Sequence, residues 1–153
     1  MRETIRLVDD TNSDDFLSLI GEFVSEVMPE KNRDDVISWY RGYFDHNGYD
    51  SLMSFMLYLD ERPIACIQLF KKTHPPMLDR KEYKDAELMN FYVIKEYRNK
   101  GLGQKLLDRI NKEVVKQDID CVRLNSSPDA ESIYERNGYK QPPFKVYQKW
   151  FNH

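Results

Sequence analysis

Gly101 and Gly103 stand just behind Arg98 and Lys100 in the stretch YRNKGLGQKLL, residues 97–107, where polar sequence gives way to an apolar helical face. A helix that starts on glycine exposes N–H groups that no side chain covers, and its dipole places positive charge at the same end. The chemistry this suits is anion binding, phosphate first. A dinucleotide fingerprint, G-x-G-x-x-G, is excluded because Leu106 stands where the third glycine belongs, and no stretch fits G-x-x-x-x-G-K-[ST]. What remains is a basic turn, Arg98-x-x-Gly101-x-Gly103. The other reactive residue types are scattered. Cys66 and Cys121 lie in apolar strand-like runs without CxxC or Cys/His spacing, and His46, His74 and His153 are isolated. They read as two reduced, buried thiols, and no metal site is expected.

A chain of 153 residues, 41% apolar, 32% charged and 13% aromatic, has the composition of one soluble globular domain spanning 1–153. Its formal charge of −3 lacks the clustered Lys and Arg that a nucleic acid partner requires. No run approaches the roughly 18 apolar residues of a membrane span, and the N-terminus, MRETIRLVDD, has no apolar signal core. The expectation is a cytoplasmic protein acting on neither nucleic acid nor membrane.

The elements that must hold the turn follow from periodicity. Residues 3–9 read as a strand. Asn12 or Ser13 caps a helix carrying Phe16, Leu17, Leu19, Ile20, Phe23, Val24 and Val27, which Pro29 stops. A second helix starts near Asn32, presents Val36, Ile37, Trp39, Tyr40, Tyr43 and Phe44, and breaks at Asn47-Gly48. SLMSFMLYLDERPIACIQLF, residues 51–70, reads as a hairpin turning over Asp60 to Pro63, with Pro63 at a strand edge. After a polar connection over 71–84 comes a buried strand, AELMNFYVI, residues 86–94. The glycine turn leads from it into a helix with Leu102, Leu106, Leu107, Ile110, Val114 and Val115 on its apolar side. CVRLN, 121–125, makes a further strand, and SPDAESIYERNGY, 127–139, a short helix with Ser127 as cap, Pro128 first and Gly138 at the left-handed end. FKVYQKWF, 144–151, is expected to close the sheet. The order is β-α-α-β-β-β-α-β-α-β, an α/β chain with a mixed sheet. A strand-helix-strand crossing makes parallel neighbours, and ligands gather at the carboxyl ends of such strands, where the glycine turn stands.

Arg98-x-x-Gly101-x-Gly103 resembles the Q/R-x-x-G-x-G/A signature of the GNAT superfamily of acetyl-CoA-dependent N-acetyltransferases. LMNFYVIKEYRNKGLGQKLL follows that family's pattern of a buried strand ending in an aromatic-Val pair, a polar linker, the glycine turn and an amphipathic helix. Ser127, Ala130, Tyr134, Gly138 and Tyr139 match its fourth-helix segment. The element order is the family's as well, so the resemblance covers almost the whole chain.

The resemblance implies a mostly antiparallel central sheet flanked by about four helices, and acetyl-CoA as cosubstrate. It implies that the backbone amides of Arg98, Asn99, Lys100, Gly101, Leu102, Gly103 and Gln104 face the pyrophosphate. Phe91, Tyr92 and Val93 then offer backbone groups to the pantetheine arm where the central strand splays from its neighbour, one N–H facing the thioester oxygen. Asn125 is a further candidate contact to that arm. Tyr134 falls where members place a tyrosine beside the CoA sulfur, and Glu87, fourteen residues before Gly101, falls at the general-base position of the histone-acetylating branch. Neither cysteine has an activating neighbour, so direct transfer in a ternary complex to a primary amine is expected rather than an acetyl-cysteine. Two rivals stay open: a noncatalytic acyl-CoA-binding or sensing domain of the same fold, and an interaction module using the aromatics of the second helix. The acceptor-shaping segments, 13–48 and 71–85, are rich in Asp and Glu, which permits a cationic amine such as a polyamine, an aminoglycoside or a lysine side chain. A homodimer is left open.

Overall fold

The computed structural model describes residues 2–8, 13–48 and 51–152. Among these residues five strands form one sheet in the order β1-β2-β3-β4-β5: β1 is Glu3–Leu7, β2 Leu52–Leu59, β3 Arg62–Thr73, β4 Lys84–Val93 and β5 Cys121–Arg123. Among the described residues four helices flank it: α1 Ser13–Val27, α2 Arg33–Asn47, α3 Leu102–Lys116 and α4 Glu131–Arg136. Every strand pair is antiparallel except β4 with β5, joined through α3 and parallel.

Strand alternation divides the apolar residues between the two sheet faces. Met56, Tyr58, Cys66 and Tyr92 meet Phe16, Leu17, Leu19 and Ile20 of α1 and Phe44 of α2. Phe55, Leu57, Ile67, Leu69 and Leu88 meet Leu102, Leu106, Leu107 and Ile110 of α3 and Tyr134 of α4. Leu106, Leu107 and Ile110 are fully buried, and each such side chain contributes about 1.5–3 kcal/mol. The α3 stripe departs from expectation at its end. Val115 is exposed, and Glu113 takes the inward place, its carboxylate held by Gln117 Nε2 at 2.6 Å and Arg109 Nη1 at 3.1 Å.

Asn32 caps α2, its side chain accepting the Asp35 N–H at 3.1 Å. For α1, the candidate cap Asn12 and the side chain of Ser13 lie outside the described residues. Pro63 belongs to the sheet's middle strand rather than an edge. It sits at that strand's second residue opposite Tyr58, beside a register shift at Leu57/Tyr58, where a missing N–H is tolerated.

The closing strand does not form. Residues 139–152 carry no helix or strand, and Phe144, Val146, Tyr147, Trp150 and Phe151 are exposed. Two physical reasons are visible. The apolar residues change parity between 146 and 147, so no single face collects them. The adjacent edge, β5, offers only three residues to pair with.

Candidate functional site

β4 pairs with β5 only over Asp85↔Cys121, Ala86↔Val122 and Glu87↔Arg123. From Leu88 to Val93 its outer side has no strand partner among the described residues, so the two parallel strands part as a V. Two features re-aim the backbone there. Between Cys66 and Gln68 the register with β3 shifts, and Asn90 sits in the bulge at φ +48. Ile94 donates its N–H to Ile64 O of β3 at 2.9 Å, so the neighbouring Val93 N–H turns toward the open side, while the Val93 C=O is taken by Arg98 Nε–H. Phe91, Tyr92 and Val93 thus fall at the parting of the strands.

The turn that follows places α3 against this opening. A single 3-10 turn, Lys95–Tyr97, leads through extended Arg98 and left-handed Asn99, φ +61, to Gly101, φ +78, which caps α3 without any side-chain hydrogen bond. The helix ladder begins with Lys105 N–H to Gly101 O, leaving the amides of Leu102, Gly103 and Gln104 without intrahelical acceptors. Gly101 is required by its φ, and open space surrounds its side-chain position. At Gly103 the packing is tight: a Cβ there would lie 3.0 Å from Phe91 Cζ and 3.6 Å from Ile133 Cδ1, so the Phe91 ring would have to give way by a few tenths of an ångström.

Basic side chains at the turn are differently disposed. Arg98 faces away from the opening, donating Nε–H to Val93 O at 2.8 Å and pairing Nη2 with Glu26 Oε2 of α1 at 2.5 Å. Its guanidinium also lies 5.5 Å from the Tyr92 ring, which stacks on Phe23. Arg98 is therefore a strut between α1 and the end of β4. Lys100 is exposed, 5.7 Å from the Tyr97 ring.

Tyr134 closes the same region from α4. It is 8% exposed, edge-on to Phe91 at 6.2 Å and to Tyr139 at 5.7 Å, and its hydroxyl makes no hydrogen bond to another described residue. Burial, and secondarily Tyr139, pushes its pKa up to about 12, so the phenol stays protonated at neutral pH. The short helix is pinned to α3 by a reciprocal amide pair that the sequence reading missed. Gln104 Nε2 donates to Asn137 Oδ1 at 2.7 Å and Asn137 Nδ2 to Gln104 Oε1 at 2.9 Å. Asn125 lies two residues beyond β5, exposed on the far wall of the V.

On the opposite face of β4 the sheet and α2 enclose an open cavity of about 310 Å3. Trp39, Tyr40 and Tyr43 form its helical wall, and Leu52, Phe70 and Met89 its sheet wall over Gln68. A buried polar chain stiffens the floor: Asn90 Nδ2 donates to Tyr40 Oη and to Gln68 Oε1, both at 2.6 Å, and Gln68 Nε2 donates to Ser54 Oγ at 2.8 Å. The trace of this in the sequence is Asn90 itself, a polar residue inside an apolar strand. Glu87 shares that face two residues before Met89, its Oε2 paired with Lys72 Nζ at 2.9 Å.

Cys66 is fully buried, its thiol pushed up to about 12 by desolvation. Cys121 is only partly buried, contrary to the expectation of two core thiols. Among the described residues no cluster of three His, Cys, Asp or Glu could hold a metal ion, and no helix is long and apolar enough to cross a membrane.

A sequence model of the acetyltransferase (GNAT) family matches residues 15–139. Among curated proteins no sequence matches. A predicted acetyltransferase from Clostridium acetobutylicum, solved with acetyl-CoA, superimposes with a TM-score of 0.78 at 16% identity, over 97% of this chain and 96% of that one. A ribosomal-protein-alanine N-acetyltransferase from Brucella melitensis gives 0.74 at 15% identity, over 99% and 100%. A glucosamine-6-phosphate N-acetyltransferase from Arabidopsis thaliana gives 0.72 at 15% identity, also over 99% and 100%. At these identities the likeness is one of fold.

Proposed function

Since the chain belongs to the GNAT acetyltransferase family and is an acyltransferase, we propose that it carries an acetyl group from acetyl-CoA to a primary amine of a small molecule or peptide, by direct attack in a ternary complex. One observation carries this reading: the unpaired outer side of β4 opens beside the uncapped start of α3, with a protonated tyrosine between them. The arrangement fits the cosubstrate. A pantetheine arm needs backbone groups to pair with as a strand would, and the V leaves the outward-facing groups of Phe91 to Val93 for it, the Val93 C=O excepted, which accepts from Arg98 Nε. A pyrophosphate needs clustered N–H donors, and the turn from Arg98 to Gln104 supplies them. Arg98 serves there through its backbone, since its side chain is engaged by Glu26. Asn125 reaches the arm from the other wall.

The chemistry then divides among the chain's own groups. The Val93 N–H is aimed at the thioester oxygen, where a fixed donor is worth about 3 kcal/mol of barrier. The amine, having lost a proton through water to Glu87, attacks the carbonyl carbon; the C–N bond forms and the C–S bond breaks. Tyr134 gives its proton to the departing sulfur, so CoA leaves as a thiol, and the second proton that the nitrogen sheds on becoming an amide returns through water to the phenolate. Cys66, buried and protonated, is no nucleophile, which favours direct transfer over an acetyl-enzyme. Titration calorimetry with acetyl-CoA, followed by thiol-release assays over a panel of amines, tests the reading. Binding together with amine-dependent CoA release supports it. Binding without turnover on any amine makes the protein an acyl-CoA sensor instead, and absence of binding refutes both.

A further inference from the structure

The acceptor amine was read from sequence only as something cationic. We infer that the cavity between α2 and the sheet is the acceptor site, and that it takes a monoamine carried on a flat apolar body, an arylalkylamine. This rests on the acetyl-transfer reading above. Its own support is the composition and position of the cavity. At about 310 Å3 the space is at the small end of ligand pockets and suits one ring and a short chain. Trp39 and Tyr43 stand one helical turn apart on α2 and face Phe70 on β3, a set of aromatic surfaces suited to an aryl group.

Charge decides against the alternatives. None of the cavity's lining residues is ionisable in the neutral range, so a polyamine or aminoglycoside would desolvate several ammonium groups against apolar walls with no carboxylate inside. A single ammonium at the rim is a different case. Glu87, on the same sheet face and opposite Phe70, is already paired with Lys72 Nζ at 2.9 Å, so the one ammonium stays hydrated at the open mouth while only the ring is desolvated. The rim at Met89 also belongs to the part of β4 that has left β5. The ring therefore enters toward Trp39 and Phe70 while the amine points to the strand that borders the V. Asn90, in the bulge between the two, braces the Tyr40 hydroxyl and the Gln68 floor, so the pocket is shaped before a ligand arrives.

The protein carries two tryptophans, Trp39 and Trp150, and the latter is 88% exposed in the irregular C-terminal segment. In a Trp150→Phe background Trp39 alone reports on the pocket. 2-Phenylethylamine should shift its emission to the blue saturably, with no acetyl-CoA present, while spermidine leaves it unchanged. In thiol-release assays 2-phenylethylamine should exceed spermidine in kcat/KM by at least about tenfold, the effect of one well-placed ring. Trp39→Ala, a change at a 64% exposed position that should not disturb folding, should raise KM for 2-phenylethylamine about tenfold and leave the acetyl-CoA Kd unaltered. A protein that binds acetyl-CoA yet shows no emission shift, or prefers spermidine, overturns the pocket assignment and leaves acetyl transfer standing. A protein that shows the shift but binds no acetyl-CoA retains the pocket and loses the acetyl-transfer reading.

Discussion

Replacing Tyr134 with Phe tests the chemistry where structure and energetics can be separated. The ring is held edge-on between Phe91 and Tyr139 and is 8% exposed, so Phe fills the same space. The hydroxyl bonds no described residue, so its removal leaves no orphaned partner and should move stability by less than about 0.5 kcal/mol. If the hydroxyl donates to the departing thiolate, a hydrogen bond to a charged group worth about 1.5–3 kcal/mol is lost in the transition state alone. That corresponds to a fall in kcat of about 10- to 150-fold with the acetyl-CoA Kd unchanged. The pH dependence supplies a second check. With its pKa pushed up to about 12, the phenol is protonated throughout pH 6–10, so Tyr134→Phe should lower the whole rate profile without altering its shape in that window. Steady-state thiol release from pH 6 to 10, with calorimetry for Kd, measures both. An unchanged kcat removes Tyr134 from the reaction, and a loss confined to one limb of the profile means that the phenol titrates lower than its burial requires.

At the glycine turn, Gly101→Ala should cost about 1–2 kcal/mol from its left-handed backbone alone, because nothing lies within 4 Å of the new Cβ. Gly103→Val should cost about 1–3 kcal/mol by driving its side chain into the Phe91 ring, and should weaken acetyl-CoA binding; chemical denaturation and calorimetry read the two effects, and full affinity in Gly103→Val speaks against the cradle. A double-mutant cycle over Gln104→Ala and Asn137→Ala should return a coupling of about 1 kcal/mol between α3 and α4, whereas additivity would mean that the amide pair contributes nothing. Hydrogen bonding from Gln117 and then Arg109 holds the Glu113 carboxyl below its usual 4.5, so its contribution to stability is complete above pH 4.5 and is lost as pH falls through the lower native value. Urea midpoints between pH 7 and pH 3 should drop less steeply in Glu113→Gln than in the parent.

What the sequence disclosed depended on how local the signal was. The two glycines, the buried strand before them and the SIYERNGY helix each announce themselves within a dozen residues, and the structure brings all three to one opening. The Gln104–Asn137 pair spans 33 residues and involves two ordinary polar side chains, so nothing in either segment marks it. The cavity is still less local: it needs α2, β2, β3 and β4 at once, and the aromatics of α2 read equally as core until Trp39 is seen to be exposed and Phe44 buried. Arg98 shows the opposite hazard. Its place in a basic turn suggests a phosphate contact for the side chain, yet Glu26, 72 residues earlier, claims the guanidinium. The failed closing strand has a plain cause, since β-rich composition in 144–151 cannot substitute for a partner edge longer than three residues.

The division of the apolar residues between two faces of one sheet has a consequence for descent. Leu57, Leu69 and Leu88 answer to α3 and α4, whereas Met56, Cys66 and Tyr92 answer to α1 and α2, and only the thin layer of backbone lies between. Substitutions can accumulate on the α2 side, widening or recharging the cavity, without disturbing the residues that seat the glycine turn. On the acceptor assignment inferred above, lineages that inherit this architecture could exchange one acceptor for another while the groups facing the V stay fixed, with Asn90, at the bulge where the faces communicate, tied to both α2 and the sheet floor.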